Sequence, residues 1–241
     1  MKGILLVARR DLWAYINTVW GWTILALALL FDGLFFNAFA LTNTAKYSAD
    51  VLDQFVFLTS GITLTAAVLI TMRLFAEERQ TGTIVLLDSS PLSEAQIVLG
   101  KYLSGMGFLT VFLILTGYMP AMIFVNGKVS PEQIAVGYAG ILLMASAGVA
   151  IGTWASALSR NQLLAAVISA AVTVFFVGCW WVARLLDPPF KAVVSYVAFF
   201  DQQLKPFQQG RLDTQGVVFF LSLTFAFLLL ANRSLIARRW E

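Results

Sequence analysis

Six stretches of this 241-residue chain are long, apolar and almost free of charge: 19–41, 55–74, 103–125, 134–158, 163–182 and the shorter 217–231. About 20 such residues carry an α-helix through about 30 Å of hydrocarbon. The expected fold is therefore all-α, a polytopic bundle of six transmembrane helices. The last run reaches spanning length by recruiting 212–216 or 235–237, with Arg233 snorkelling to the headgroups. Composition agrees: 12% of the residues are charged and 59% apolar, whereas a soluble domain carries about 25% charge. A surface this poor in charge, with a mean hydropathy of +0.82, must face lipid.

Charge placement sets the orientation. Ten of the sixteen Lys and Arg residues (Lys2, Arg9, Arg10, Arg73, Arg79, Lys101, Arg160, Arg233, Arg238 and Arg239) fall on the side that holds both termini. The other side has only Lys46 and Lys128 in its short loops, plus Arg184, Lys191, Lys205 and Arg211 in one long connection. Cytoplasmic loops are the basic ones, so both termini are predicted to be cytoplasmic. A single domain over 1–241 is expected, comprising an interfacial helix at 1–18, a cytoplasmic segment at 75–102 and an external connection at 184–215. The apolar stretch 4–8 is too short for a signal peptide and is interrupted by Arg9 and Arg10.

The first eighteen residues have a pattern of their own. As a helix, Ile4, Leu5, Ala8, Leu12, Tyr15 and Ile16 share one face, and Lys2, Arg9, Arg10 and Asn17 the opposite one. Such a helix is expected to lie along the inner leaflet.

The most polar segment separates the second and third runs. Glu77, Glu78 and Arg79 are three consecutive charges, each costing about 2.5 to 3.5 kcal/mol in hydrocarbon. Gly82 supplies a break, and 83–87 is an apolar patch too short to cross and expected to pack on something. After Pro91, Ser93 can cap a helix beginning at Glu94, Gln96 can complete a capping box, and Leu92 can staple against Ile97. Lys101 then marks the headgroup layer.

Several chemistries have no support. Histidine is absent and Cys179 is the single cysteine. Gly100-Lys101 and Gly127-Lys128 lack both the following Ser or Thr and the upstream glycine of a phosphate-binding loop. Neither a zinc-protease motif nor a nucleophile elbow occurs. The chain is therefore expected to be neither an enzyme nor a nucleic-acid binder. Asp32 is the one acid inside an apolar run, a candidate for the translocation path or a hydrogen-bonded structural carboxylate. Gly148, Gly152 and Ser156 recur every four residues, a narrow face suited to packing within the chain or to a dimer seam. In the long connection, Val193, Val194, Tyr196, Val197, Phe199 and Phe200 form an amphipathic run that cannot span.

The string Glu78-Arg79, Gly82-Thr83-Ile84, Leu87, Ser90-Pro91-Leu92-Ser93 and Gln96 through Lys101 resembles the second-to-third connection of ABC-2 type permeases, the membrane subunits of ABC exporters. The resemblance implies that this connection carries a coupling helix docking on a separate ATPase, with Glu77, Glu78, Arg79, Gly82, Thr83, Leu86, Leu87 and Pro91 as coupling residues. It further implies a bacterial inner-membrane half-transporter that pairs with a second copy or a homologous permease, binds no cofactor itself, and draws on ATP and magnesium held by the partner. Phe207, Gly210 and Asp213, with 217–224 and 233–240, are similar to the gliding-motility and copper-site-maturation branch, which has histidine where Gln203 stands. Two alternatives stay open: an ATP-independent transporter or channel using Asp32, and a membrane anchor for an ATPase driving an external machine.

Overall fold

The computed structural model describes residues 2–40, 47–84, 92–126 and 129–238, and among them every regular element is helical. In chain order these are α1 (Lys2–Asn17), α2 (Val19–Phe35) with a wide turn at Phe36–Ala40, α3 (Ser48–Thr71), α4 (Ala76–Gln80), α5 (Glu94–Thr116), α6 (Tyr118–Asn126), α7 (Pro131–Leu158) and α8 (Gln162–Leu185). They continue as α9 (Phe190–Val197), a second wide turn at Phe199–Leu204, α10 (Lys205–Gln208) and α11 (Thr214–Arg238). Six segments are long and apolar enough to cross a membrane: Val19–Phe39, Ser48–Gln80, Glu94–Val125, Pro131–Leu158, Gln162–Leu185 and Thr214–Ala237.

The fourth crossing, α7, is the pillar around which the others pack, because its surface is largely Gly, Ala and Ser. Gly137 faces Val56 of α3 and Gly140 faces Phe207 of α10, while a Cβ at Gly148 would stand 2.8 Å from Leu64. At Gly152 a Cβ would stand only 1.8 Å from the Thr71 hydroxyl. Such contacts bring helix backbones together where no hydrophobic drive operates between them. In this chain Gly148 and Gly152 pack on the chain's own α3, and Ser156 on the turn that follows it.

The structure corrects the expected face of α1. Val7 and Tyr15 are buried, and Leu5, assigned to the same apolar side, is 70% exposed. Val7 lies against Gly100 of α5, where an added Cβ would approach its Cβ to 2.6 Å. The Tyr15 hydroxyl donates to the Ile70 carbonyl at 3.1 Å, and its ring meets Phe108 edge-on. With Leu5, Leu6 and Trp13 outward, α1 is apolar on two sides and is wedged against the bundle; the expected face holds at Tyr15 and at Leu12, which lies against Gly107, and fails at Leu5, where Val7 takes the seam position instead.

At the opposite end of the bundle the long connection folds inward. Phe190, Val193 and Tyr196 of α9 are exposed, and the chain then turns so that Phe199, Leu204 and Phe207 become fully buried. Gln203 is buried too, donating to the Tyr196 carbonyl at 2.8 Å. Glycines at 140 and 216 leave the room that Phe207 fills.

Candidate coupling site

The second crossing is a broken helix. Regular structure stops at Thr71, turns through Met72 to Phe75 and resumes at Ala76. A helix start leaves amides without intrahelical acceptors, and here α7 supplies one: the Ser156 hydroxyl accepts from Phe75 N at 3.0 Å and Ala76 N at 3.2 Å. Near the other end of α4, Arg79 donates to the Ala157 carbonyl at 2.6 Å and to that of Ser159. Those carbonyls close the last turn of α7, where a cation is favoured by the helix dipole. The five-residue α4 is thus fastened at both ends to the fourth crossing.

Its other flank meets α1 and α5 through charge. Lys101, only 2% exposed, donates to the Leu74 carbonyl at 2.5 Å and to Asp11 Oδ2 at 3.1 Å. Glu78 Oε2 lies 3.0 Å from the same ammonium, off its hydrogen-bond directions. Arg10 closes the ring, 2.8 Å from Asp11 and 2.8 Å from Glu78. Glu77 pairs instead with Arg73, whose guanidinium lies 5.6 Å from the Trp20 ring. Beside the ring opens a cleft of about 590 Å³ walled by Arg10, Asp11, Arg73, Glu78 and Lys101. Burial, reinforced by Asp11, pushes the Tyr15 phenol above its ordinary range, so it stays protonated as a donor to Ile70.

Beyond α4 the chain reverses at Gly82, whose φ of 73° lies in the left-handed region. Thr83 is exposed, its hydroxyl 2.9 Å from that of Thr81. Leu86, Leu87 and Pro91 lie outside the described residues. The expected helix start is present: Ser93 accepts from Gln96 N, and the Gln96 side chain accepts from Ser93 N at 3.2 Å. Leu92 sits on Gly3 of α1.

Of the residues singled out in the sequence, Glu77, Glu78, Arg79 and Ser156 are brought together, while Gly148 and Gly152 extend the same seam deeper between α3 and α7. Asp32 is elsewhere. It is 1% exposed in the contact of α2 with α3, where its Oδ1 accepts from Thr59 at 2.9 Å. Lys101 departs from expectation, being a buried strut and not a headgroup marker. Asp11 and Lys101 were the residues the sequence reading missed. Asp11 follows Val7 by four and precedes Tyr15 by four, so the helical period alone places it on the buried face.

A family model described as "ABC-2 family transporter protein" matches residues 34–200, from the end of α2 through the break, the ring at Glu78 and Lys101, and α7 and α8. A search of curated proteins finds no match. With more than half of its length matched and six crossings built as above, the chain belongs to the ABC-2 transporter family and is a multi-pass membrane permease.

Proposed function

We propose that this permease is the membrane half of an ATP-driven exporter in the bacterial cytoplasmic membrane, with both termini cytoplasmic and ATP and magnesium bound by separate ATPase subunits. The observation that carries the reading is the fastening of α4. A connection with no mechanical duty has no need of Ser156, Arg79 and Lys101 tying it to three other helices. An ATPase docked on the connection between the second and third crossings would move α4, and α4 would move α7 through Arg79 and α1 and α5 through Glu78. The charge bias of the loops supports the orientation. The complete transporter contains a second permease, identical or homologous.

The test begins with the assembly. The tagged permease is extracted from its native membrane in mild detergent, and its stoichiometric companions are identified by mass spectrometry. Recovery of a phosphate-loop ATPase whose hydrolysis falls when Arg79 is changed to Ala supports the proposal. Isolation of the permease alone after gentle cross-linking refutes it.

A further inference from the structure

Among the described residues only two side chains of charged type are fully buried, Lys101 and Asp32. Lys101 has three oxygens around it. Asp32 has the Thr59 hydroxyl on Oδ1 and nothing on Oδ2, which is fully enclosed. No described Lys or Arg forms an ion pair with it. A carboxylate without a counter-ion inside the hydrocarbon is among the least favourable arrangements a protein can contain, and a proton removes the charge.

The two oxygens differ in a way that suits a neutral acid better than a carboxylate, although the enclosed Oδ2 has neither a donor nor an acceptor among the described residues. A carbonyl oxygen accepts hydrogen bonds and a hydroxyl oxygen bears the proton; a carboxylate would call for donors on both. The groups facing Asp32 are themselves neutral. Thr59 comes from α3. Tyr138 of α7 lies close enough to feel its field, its own hydroxyl 3.1 Å from that of Thr116. The Tyr118 hydroxyl of α6 lies beside Gly33. Other acids, Asp50 and Asp53, sit toward the start of α3, before Thr59. One turn after Asp32 the α-helix gives way: the Phe36 amide is shared between the carbonyls of Asp32 and Gly33, and the wide turn Phe36–Ala40 begins there. Such turns within helices recur at functional positions.

We infer that Asp32 is a proton-binding site: in the packed bundle it is a neutral carboxylic acid, with Oδ1 its carbonyl and Oδ2 its hydroxyl, and parting of the first and second crossings releases that proton to water. The O–H bond of Oδ2 breaks, water takes the proton, and the carboxylate left behind is stabilised by the water that entered. Phe36, buried against Phe55 one turn from Asp32, holds this contact shut. The inference concerns the permease alone and does not draw on an ATPase.

Infrared spectra of the purified permease in lipid nanodiscs at neutral pH test it. The difference between wild type and Asp32→Asn is expected to contain the carbonyl stretch of a protonated carboxyl. Thr59→Val, which keeps the acid and removes its donor, is expected to move that band to higher frequency. Phe36→Ala, which loosens the contact, is expected to replace it with carboxylate bands. A carboxylate signal in the wild type overturns the inference, as does a protonated band unmoved in Thr59→Val. A protonated band that persists in Phe36→Ala overturns the link between the proton and the contact. If Asp32→Asn fails to fold, the Thr59→Val shift identifies the band by itself.

Discussion

The hydroxyl of Ser156 accepts the amide proton of Phe75 at 3.0 Å across 81 positions of sequence, so that a side chain of the fourth crossing finishes a helix of the second. Replacing Ser156 with Ala leaves the buried Phe75 and Ala76 amides without that acceptor. Unsatisfied buried donors cost about 1 to 3 kcal/mol each, so a loss of about 2 kcal/mol is expected, read as a lower thermal midpoint in detergent. An unchanged midpoint means that these amides find another acceptor.

The ring around Lys101 predicts an asymmetry. Lys101→Met leaves the Leu74 carbonyl without its donor and Asp11 and Glu78 with the half-exposed Arg10 as their one cation in the ring, and removing one partner of a buried charge set costs about 3 kcal/mol or more. Arg10→Met removes a half-exposed charge, and surface pairs are worth about 0 to 1 kcal/mol. The double variant Lys101→Met with Glu78→Gln should recover part of the first loss. Equal effects of the two single variants, measured by chemical unfolding in micelles, contradict the central role given to Lys101.

Two glycines should fail for opposite reasons. Gly82→Ala meets nothing within 4 Å among the described residues, and its cost there is that of its left-handed backbone, about 1 to 2 kcal/mol, most of which Gly82→Asn avoids. Gly152→Ala drives a methyl group into Thr71, and overpacking costs about 1 to 3 kcal/mol. Thr71→Ala in the same chain should relieve it only in part, because the Cβ at position 71 would still stand 2.6 Å from the new methyl, whereas no second-site change in α7 should relieve Gly82→Ala. Thermal midpoints of the four variants decide the matter.

Arg79→Lys keeps the charge but cannot reach the Ala157 and Ser159 carbonyls with one planar fork. Limited proteolysis near Gly82 should therefore accelerate several-fold, because α4 loses its hold on α7. Equal cleavage rates show that the Arg79 fork is not needed to hold α4.

The crossings, the Ser93 capping box and the break at Gly82 were legible because each depends on neighbours in sequence: hydropathy over twenty residues, a hydroxyl three residues from an amide, a glycine after charges. What was not legible is tertiary. Lys101 looks the same in sequence whether it snorkels or is buried, and only the approach of Asp11 and Glu78 from distant positions decides between the two. The face of α1 misled for a related reason: lipid and protein both accept leucine, so hydropathy separates wet from dry but not Leu5 from Val7. The face at Gly148, Gly152 and Ser156 was visible as a face, and what covers it was not.

The break between Thr71 and Ala76 makes the second crossing a jointed rod. In an unbroken helix, a push at the tip would bend its whole length and fade with distance. Here the short arm beyond the joint is bolted to the end of the central pillar by Arg79, so under the proposed coupling a displacement of α4 would reach α7 as directly as it reaches α3. The fourth crossing touches most of the others, and a tug on that one shaft would be felt across the bundle at once.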